Sequence, residues 1–210
     1  GEKYLDTLKN NKIKIKESFK LNSLNTLAST GSPLVNESFE YVYENIKSNI
    51  HLESISGGTD LVSCFVTGNP LMDVYSGEIQ CKALGMDVDV FDEKGNSIEN
   101  QKGELVCKSS FPSMPLYFWN DHDNKKYFNS YFSKYENIWY HGDYIEKTIN
   151  GGYVIYGRSD ATLNSGGVRI GTAEIYRVIE NITEVQEAVA VEYKLKTVSY
   201  THLTLPTTIE

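Results

Sequence analysis

The chain has 210 residues, of which 40% are hydrophobic and 23% charged, with a formal net charge of −8. That composition belongs to a globular chain with room for one domain and part of a second. The acidic balance argues against a nucleic-acid partner, which would meet a basic face, but leaves a local arginine cluster free to bind a small anion.

Residues Gly1 to Asn25 mix Lys and Asn with alternating Ile. Tyr4, Leu5 and Leu8 recur at helical spacing and predict a short helix. Lys9, Lys12, Lys14 and Lys16 read as a solvated basic face. Leu21, Leu24, Leu27 and Ala28 then lead into Ser29-Thr30-Gly31-Ser32-Pro33, where Gly and Pro interrupt regular structure; on residue type alone this is a plain loop. Phe39, Val42, Tyr43 and Ile46 stand at i, i+3, i+4 and i+7 and predict a helix over Glu37 to Lys47, with Ser32 or Asn36 as its cap. Ile50 to Ser56 alternates as a short strand and runs into Gly57-Gly58-Thr59-Asp60. A strand that ends in Gly, Thr and Asp suits the edge of a nucleotide: Thr can donate to a phosphate, and a carboxylate can hold Mg²⁺, a hard cation that prefers oxygen. The same residues also suit an ordinary turn with Gly at positive φ and Asp as a cap. The pattern is not a Walker-type phosphate loop.

From Gly77 to Lys108 the chain reads as strands. Val88 and Val90 alternate with Asp87 and Asp89, Asp92-Glu93-Lys94-Gly95-Asn96 is a turn, and Gly103-Glu104-Leu105-Val106-Cys107 returns. The acids on these strands are expected to face solvent. Lys125 to Phe132 predicts a helix whose aromatic stripe, Tyr127, Phe128, Tyr131 and Phe132, belongs to the core. Trp139 and Tyr140 lead to His141-Gly142-Asp143; with no nucleophile or acid beside it in sequence, His141 reads as structural rather than as a general base. Ile145 to Thr148, the turn Asn150-Gly151-Gly152 and Tyr153 to Tyr156 predict a hairpin.

Gly157-Arg158-Ser159-Asp160 and Ser165-Gly166-Gly167-Val168-Arg169 follow. Guanidinium forks match phosphate oxygens, and Gly lets backbone N–H groups approach an anion closely, so this stretch suits phosphate binding. A tight loop with two solvated arginines satisfies the same residues. Thr172 is expected to cap a helix with Ile175, Tyr176, Val178, Ile179 and Ile182 on its apolar face, and Val185 to Tyr193 reads as a strand. Cys64, Cys81 and Cys107 are odd in number and form no C-x-x-C pair, which argues against a disulfide scaffold or zinc site and fits a reducing cytoplasm. No run reaches the roughly 18 apolar residues of a membrane span.

Taken in order, Ser29-Thr30-Gly31-Ser32-Pro33-Leu34, Ser54 to Asp60, Tyr140-His141-Gly142-Asp143 and Tyr156 to Arg169 resemble the motifs of the adenylate-forming acyl-CoA synthetases. The resemblance covers roughly the first 195 residues. It implies an α/β fold: residues 1–159 as the C-terminal part of a large AMP-binding domain, a sheet and helix layer plus a small distorted β-barrel, and 160–196 as the hinge and truncated start of a small α+β domain. It implies an ATP-dependent acid–thiol ligase, with coenzyme A as co-substrate, Mg²⁺ as cofactor, and no nucleic-acid or membrane partner, the 210 residues alone being expected to be inactive; the alternatives are another short-chain acyl-CoA synthetase or an inert truncated nucleotide-binding fragment. Gly31, Ser32, Pro33, Ser54, Thr59, Asp60, Asp143, Arg158 and Arg169 fall on nucleotide-binding positions. Asp60 also falls on the metal position, Gly166 and Gly167 on residues near CoA, and Asp160 on the hinge. In relatives that use acetate a bulky aromatic is expected beside the Thr-acid pair; here Gly57 and Gly58 stand there, which implies a wider acyl pocket and a four-carbon keto acid, acetoacetate. No catalytic residue is assigned: the lysine-bearing phosphate loop is expected upstream of Gly1 and the adenylation lysine beyond Lys196. Val198-Ser199-Tyr200-Thr201-His202-Leu203-Thr204-Leu205-Pro206-Thr207 matches the conceptual translation of a transposon-based sequencing adapter, so residues 197–210 are expected to be a non-native tail, disordered or arbitrarily placed.

Overall fold

A computed structural model of the chain describes residues 1–161, 163–165, 168–170, 172–179, 182, 185, 188–194 and 199–204. It divides into two compact units, residues 1–141 with 145–155, and residues 142–144 with 156–210.

The first unit opens with α1 (Glu2–Asn10) and α2 (Ile15–Ser18), followed by β1 (Thr26–Ser29). Next come α3 (Asn36–Tyr41), extended by a π-helical turn over Val42–Ile46, and β2 (His51–Ser54). The two strands pair in parallel with Ser29 opposite Ser54, so the chain leaves both at the same edge. Leu5 and Leu8 of α1 share one buried cluster with Phe39, Val42, Ile46 and Leu52, as the helical spacing predicts. The cap of α3 is neither Ser32 nor Asn36. Val35 holds the N-cap position without a side-chain cap, and the buried Glu2 lies beside it, its carboxylate accepting from the Val35 N–H at 3.3 Å and from the Ser38 hydroxyl. A carboxylate suits the positive end of a helix dipole. Burial nevertheless pushes the Glu2 carboxyl above its ordinary value, with the Ser38 hydrogen bond opposing.

The larger core lies among β strands. β3 (Ser56–Gly58), β4 (Ser63–Thr67) and β5 (Cys81–Lys82) form one antiparallel sheet. β6 (Val88–Phe91), β7 (Lys102–Cys107), β8 (Trp139–Lys147) and β9 (Tyr153–Arg158) form another in that order. Phe65, Val66, Val88, Val90, Leu105, Trp139, Ile145 and Tyr153 fill the core, and burial pushes the Tyr153 phenol up to about 12. The expected small barrel is not closed among the described residues. Among the described residues β5 has two residues and pairs with β4 alone, and an isolated bridge joins Ile79, ahead of β5, to Tyr153 of β9. The predicted hairpin is present: the Thr148 N–H donates to the Gly152 carbonyl at 2.9 Å between β8 and β9.

The acids of these strands divide. Asp89 is half-buried and meets Lys108 at 2.9 Å; burial alone would raise its carboxyl, but hydrogen bonds from Lys108, the Val90 N–H and Ser97 hold it below the usual value. Glu104 departs from the expectation. It is 1% exposed and accepts from the Lys134 ammonium at 2.6 Å, because β7 is buried over most of its length.

α4 (Lys125–Tyr131) starts where both Asp121 oxygens accept backbone N–H groups, from Lys126 at 3.1 Å and Tyr127 at 2.8 Å. Tyr127, Tyr131 and Phe132 pack against the core as the aromatic stripe predicts, whereas Phe128 is exposed.

In the second unit a 3₁₀ turn over Ser159–Ala161 leads to the hairpin of β10 (Leu163–Ser165) and β11 (Val168–Ile170), then α5 (Thr172–Ile179) and β12 (Val189–Lys194). Thr172 is the first residue of α5 rather than its cap. Ile179 is buried and Ile175 and Tyr176 are half-buried, while Val178 and Ile182 face solvent. The Ala190 N–H of β12 donates to the Tyr176 hydroxyl at 3.1 Å. Within the tail, Ser199–Thr204 forms β13, antiparallel to β12. Tyr, Thr and Leu favour a pleated strand whatever the origin of the codons.

Candidate functional site

Two groups of predicted site residues can be built from the structure, one in each unit. In the first unit, β1 and β2 end in register, and the next residues of each carry a predicted motif. Gly31 and Ser32 are exposed and Pro33 half-buried in the turn after β1; Ser54 is buried at the end of β2. The crevice beyond the carboxyl ends of parallel strands is where α/β sheets take ligands. Ser29, opposite Ser54, was not singled out from sequence. Its hydroxyl is buried without a hydrogen-bond partner, and no residue pattern marks it.

Gly57 and Gly58 lie in β3, not in a turn. A Cβ built on Gly57 would sit 2.1 Å from the Ser63 carbonyl oxygen and 2.5 Å from the Cys64 Cα, both backbone of β4. On Gly58 it would sit 2.1 Å from Asp60 Oδ1 and 3.1 Å from the His141 ring. Gly57 lets β4 pair closely, and Gly58 makes room for a carboxylate and an imidazole.

Thr59 and Asp60 follow, both exposed. The Tyr131 hydroxyl donates to Asp60 Oδ2 at 2.6 Å, and the Tyr131 ring stacks on Trp139 at 3.6 Å and 13°. His141 is buried and edge-on to Phe65 at 4.8 Å, in keeping with a structural role. Among the described residues no three His, Cys, Asp or Glu side chains gather as a metal cage. Asp60 alone fits an ion that arrives on phosphate oxygens and needs one or two protein carboxylates, the usual manner of Mg²⁺.

The loop from Phe111 to Pro115 is anchored by Phe111, edge-on to Phe65 at 5.4 Å and to Trp139 at 5.3 Å. Met114 lines a cavity of about 380 Å³ with Cys107, Phe132 and Trp139.

In the second unit, Arg158 Nη1 donates to Asp143 Oδ1 at 3.2 Å, and Nε lies 3.5 Å from Asp160 Oδ1. Asp143 is buried and Arg158 about half exposed. Gly142 belongs to this group although sequence reading left it out. Its φ is +81°, and a Cβ there would lie 2.6 Å from Arg158 Nη2. The signal was present as a Gly between His and Asp. The cluster pairs an acceptor-only carboxylate, suited to hydroxyls, with a half-exposed guanidinium fork, suited to phosphate. Arg169 lies on β11, its register partner Asn164. Gly166 and Gly167 lie outside the described residues.

No protein-family model matches the chain. Over 189 residues, 90% of its length, it is 54% identical to an acetoacetyl-coenzyme A synthetase of Rhizobium meliloti (strain 1021), and covers 29% of that protein. Over 192 residues, 91% of its length, it is 47% identical to the acetoacetyl-CoA synthetase of Mus musculus, again covering 29%. The chain thus spans under a third of the length of these curated relatives. Among solved structures it superposes over its whole length on an acetoacetyl-CoA synthetase from Streptomyces lividans, with a TM-score of 0.86 and 34% identity, covering 33% of that chain. An anthranilate CoA ligase in complex with anthranoyl-AMP shares the fold at a TM-score of 0.70 and 19% identity, with 91% of this chain and 35% of that chain covered. The fold is that of the C-terminal part of the adenylate-forming CoA ligases.

Proposed function

We propose that the chain is a segment of an acetoacetyl-CoA synthetase, an ATP-dependent acid–thiol ligase of the adenylate-forming superfamily. The observation that carries this reading is 54% identity across 189 residues, with the four motifs in order. In the complete protein the acetoacetate carboxylate attacks the α-phosphate of ATP, forming the acyl-adenylate and releasing pyrophosphate. The CoA thiol then displaces AMP. Both steps depend on placing charged groups and neutralising phosphate charge.

The residues of this chain take binding roles in that scheme. Asp143, buried and acceptor-only, holds the ribose hydroxyls, and Arg158, kept beside it, donates to ribose and phosphate. Gly31, Ser32, Pro33, Ser54 and Thr59 line the nucleotide at the ends of β1 and β2. Asp60 would hold Mg²⁺ through one oxygen, and that ion would offset phosphate charge. Asp160 serves as the hinge, Arg169 reaches the nucleotide phosphates, and Gly166 and Gly167 lie near CoA. No helix among the described residues is long and apolar enough to cross a membrane, and the three cysteines are free; a cytoplasmic enzyme fits both. Gly57 and Gly58, close to β4 backbone and to the Asp60 carboxylate, are assigned to the acyl pocket, and the acetoacetate preference rests on the relatives.

The test is AMP release by the protein from the complete reading frame, with ATP, CoA and either acetoacetate or acetate. Release with acetoacetate well above acetate is the expected result. A preference for acetate would keep the ligase and discard the substrate. No release with any short carboxylic acid would overturn the activity.

A further inference from the structure

The contact between Asp60 and α4 joins residues 71 positions apart in the chain. We infer that Tyr131 is a positioning residue for Asp60: its hydroxyl occupies Oδ2 and fixes the carboxylate, so that Asp60 meets a nucleotide-borne cation through Oδ1 alone. The inference rests on the reading of Asp60 as a nucleotide-site carboxylate and goes beyond it in naming what orients that group.

Three observations build the arrangement. The Tyr131 hydroxyl lies 2.6 Å from Asp60 Oδ2, the length of a charge-assisted O–H···O⁻ bond. Asp60 Oδ1 lies against Gly58, where even a methyl group would come within 2.1 Å of it. The carboxylate thus has a donor on Oδ2, while Oδ1 occupies the space that the missing Gly58 side chain leaves. The Tyr131 ring is itself held, stacked on the buried Trp139 at 3.6 Å and edge-on to Phe118 at 5.7 Å. α4, which carries it, is started by the two Asp121 hydrogen bonds and tied back through the Tyr127 hydroxyl to the Pro115 carbonyl.

An exposed aspartate without such a donor samples several rotamers and can chelate a cation with either or both oxygens. Mg²⁺ tolerates little departure from octahedral geometry and usually takes one oxygen from each carboxylate. Restricting Asp60 to one oxygen matches that demand and lowers the ordering cost when Mg·ATP binds.

The test uses the complete protein with Tyr131→Phe, which deletes the hydroxyl and keeps the stacked ring. Two readouts are taken: the Kd for Mg·ATP by calorimetry without acetoacetate, and the KM for ATP in turnover. Both are expected to rise about tenfold, the typical weight of one hydrogen bond to a charged group, while KM for acetoacetate and the unfolding temperature stay near those of the parent. Asp60→Asn should weaken Mg·ATP at least as much, and Tyr131→Phe combined with Asp60→Asn should be no worse than Asp60→Asn alone. Unchanged Kd and KM in Tyr131→Phe, with Asp60→Asn impaired, would overturn the positioning role and leave Asp60 in the site. Unchanged Mg·ATP binding in Asp60→Asn would overturn both. Additive losses would assign Tyr131 to packing only and overturn the inference.

Discussion

Gly142→Ala separates what the Asp143–Arg158 cluster contributes to stability from what it contributes to binding. Two penalties arise at once. The φ of +81° lies in the left-handed region, where an L side chain costs about 1–2 kcal/mol. The new Cβ would also come within 2.6 Å of Arg158 Nη2. Arg158 is half exposed on a flexible stem, so it can swing away at little cost, and its surface ion pair contributes at most about 1 kcal/mol to stability. Total destabilisation should therefore stay near 1–2 kcal/mol, a modest shift in a urea unfolding curve. Binding should suffer more, because displacing Arg158 from Asp143 removes the guanidinium from the half-exposed position that suits phosphate. In the complete protein we expect the KM for ATP to rise about tenfold or more, as for loss of a charge-assisted bond, with KM for CoA little changed. Arg158→Ala should produce the same loss, and combining it with Gly142→Ala should add little. If Gly142→Ala leaves the KM for ATP within about twofold of the parent while Arg158→Ala raises it tenfold, the placement of Arg158 by Gly142 carries no functional weight and the reasoning fails.

Lys134→Met leaves the Glu104 carboxylate buried without its ammonium, and should destabilise by about 3 kcal/mol, less in a Glu104→Gln background; the fluorescence of the buried Trp139 during urea unfolding reads it, and a cost under about 0.5 kcal/mol would refute the pair. Gly57→Ala should destabilise by about 1–3 kcal/mol, since its Cβ meets β4 backbone that has no side chain to move, and should shift the acetoacetate-to-acetate ratio toward acetate; an unchanged ratio in a stable variant would take Gly57 out of the acyl pocket. Burial raises the Glu2 carboxyl above its unfolded value of 4.5, so the folded state holds the proton more tightly, and stability is greatest below that pH and falls as pH rises through the folded value. Glu2→Gln should abolish that fall, and identical pH–stability curves for the two proteins would count against a buried, ionising Glu2.

The parts of this fold that were legible in the sequence are those whose cause is local. Phe39, Val42, Tyr43 and Ile46 announce a helix because a helix repeats its buried face every three or four residues, and that face is what packs on Leu5 and Leu8. The hairpin through Asn150-Gly151-Gly152 is equally local. The contact at the start of α3 was not legible, because Glu2 reaches Val35 from 33 residues away in sequence and nothing in the pattern distinguishes Glu2 from a solvated acid. Glu104 was misread for the same reason: Lys134 lies 30 positions on, and alternation describes one strand at a time.

The glycines carry a different lesson. Gly57, Gly58 and Gly142 all stand beside polar residues in motifs, and by sequence alone Gly57 and Gly58 are read for what their missing side chains free, while Gly142 carries no reading of its own. Gly57 and Gly58 have unremarkable backbone angles and are demanded by close approach, one to backbone and the other to the Asp60 carboxylate. Gly142 is demanded by positive φ and by Arg158 together. A residue defined by absence takes its meaning from whatever fills the space. The same argument applies to Tyr131. Within the aromatic stripe Tyr127 and Tyr131 are equivalent by type and by spacing, and both hydroxyls are bonded. One reaches the Pro115 carbonyl and fastens a loop, and the other reaches Asp60. Their difference is one helical turn, which carries the second hydroxyl from the core's own framework to the carboxylate of the candidate site.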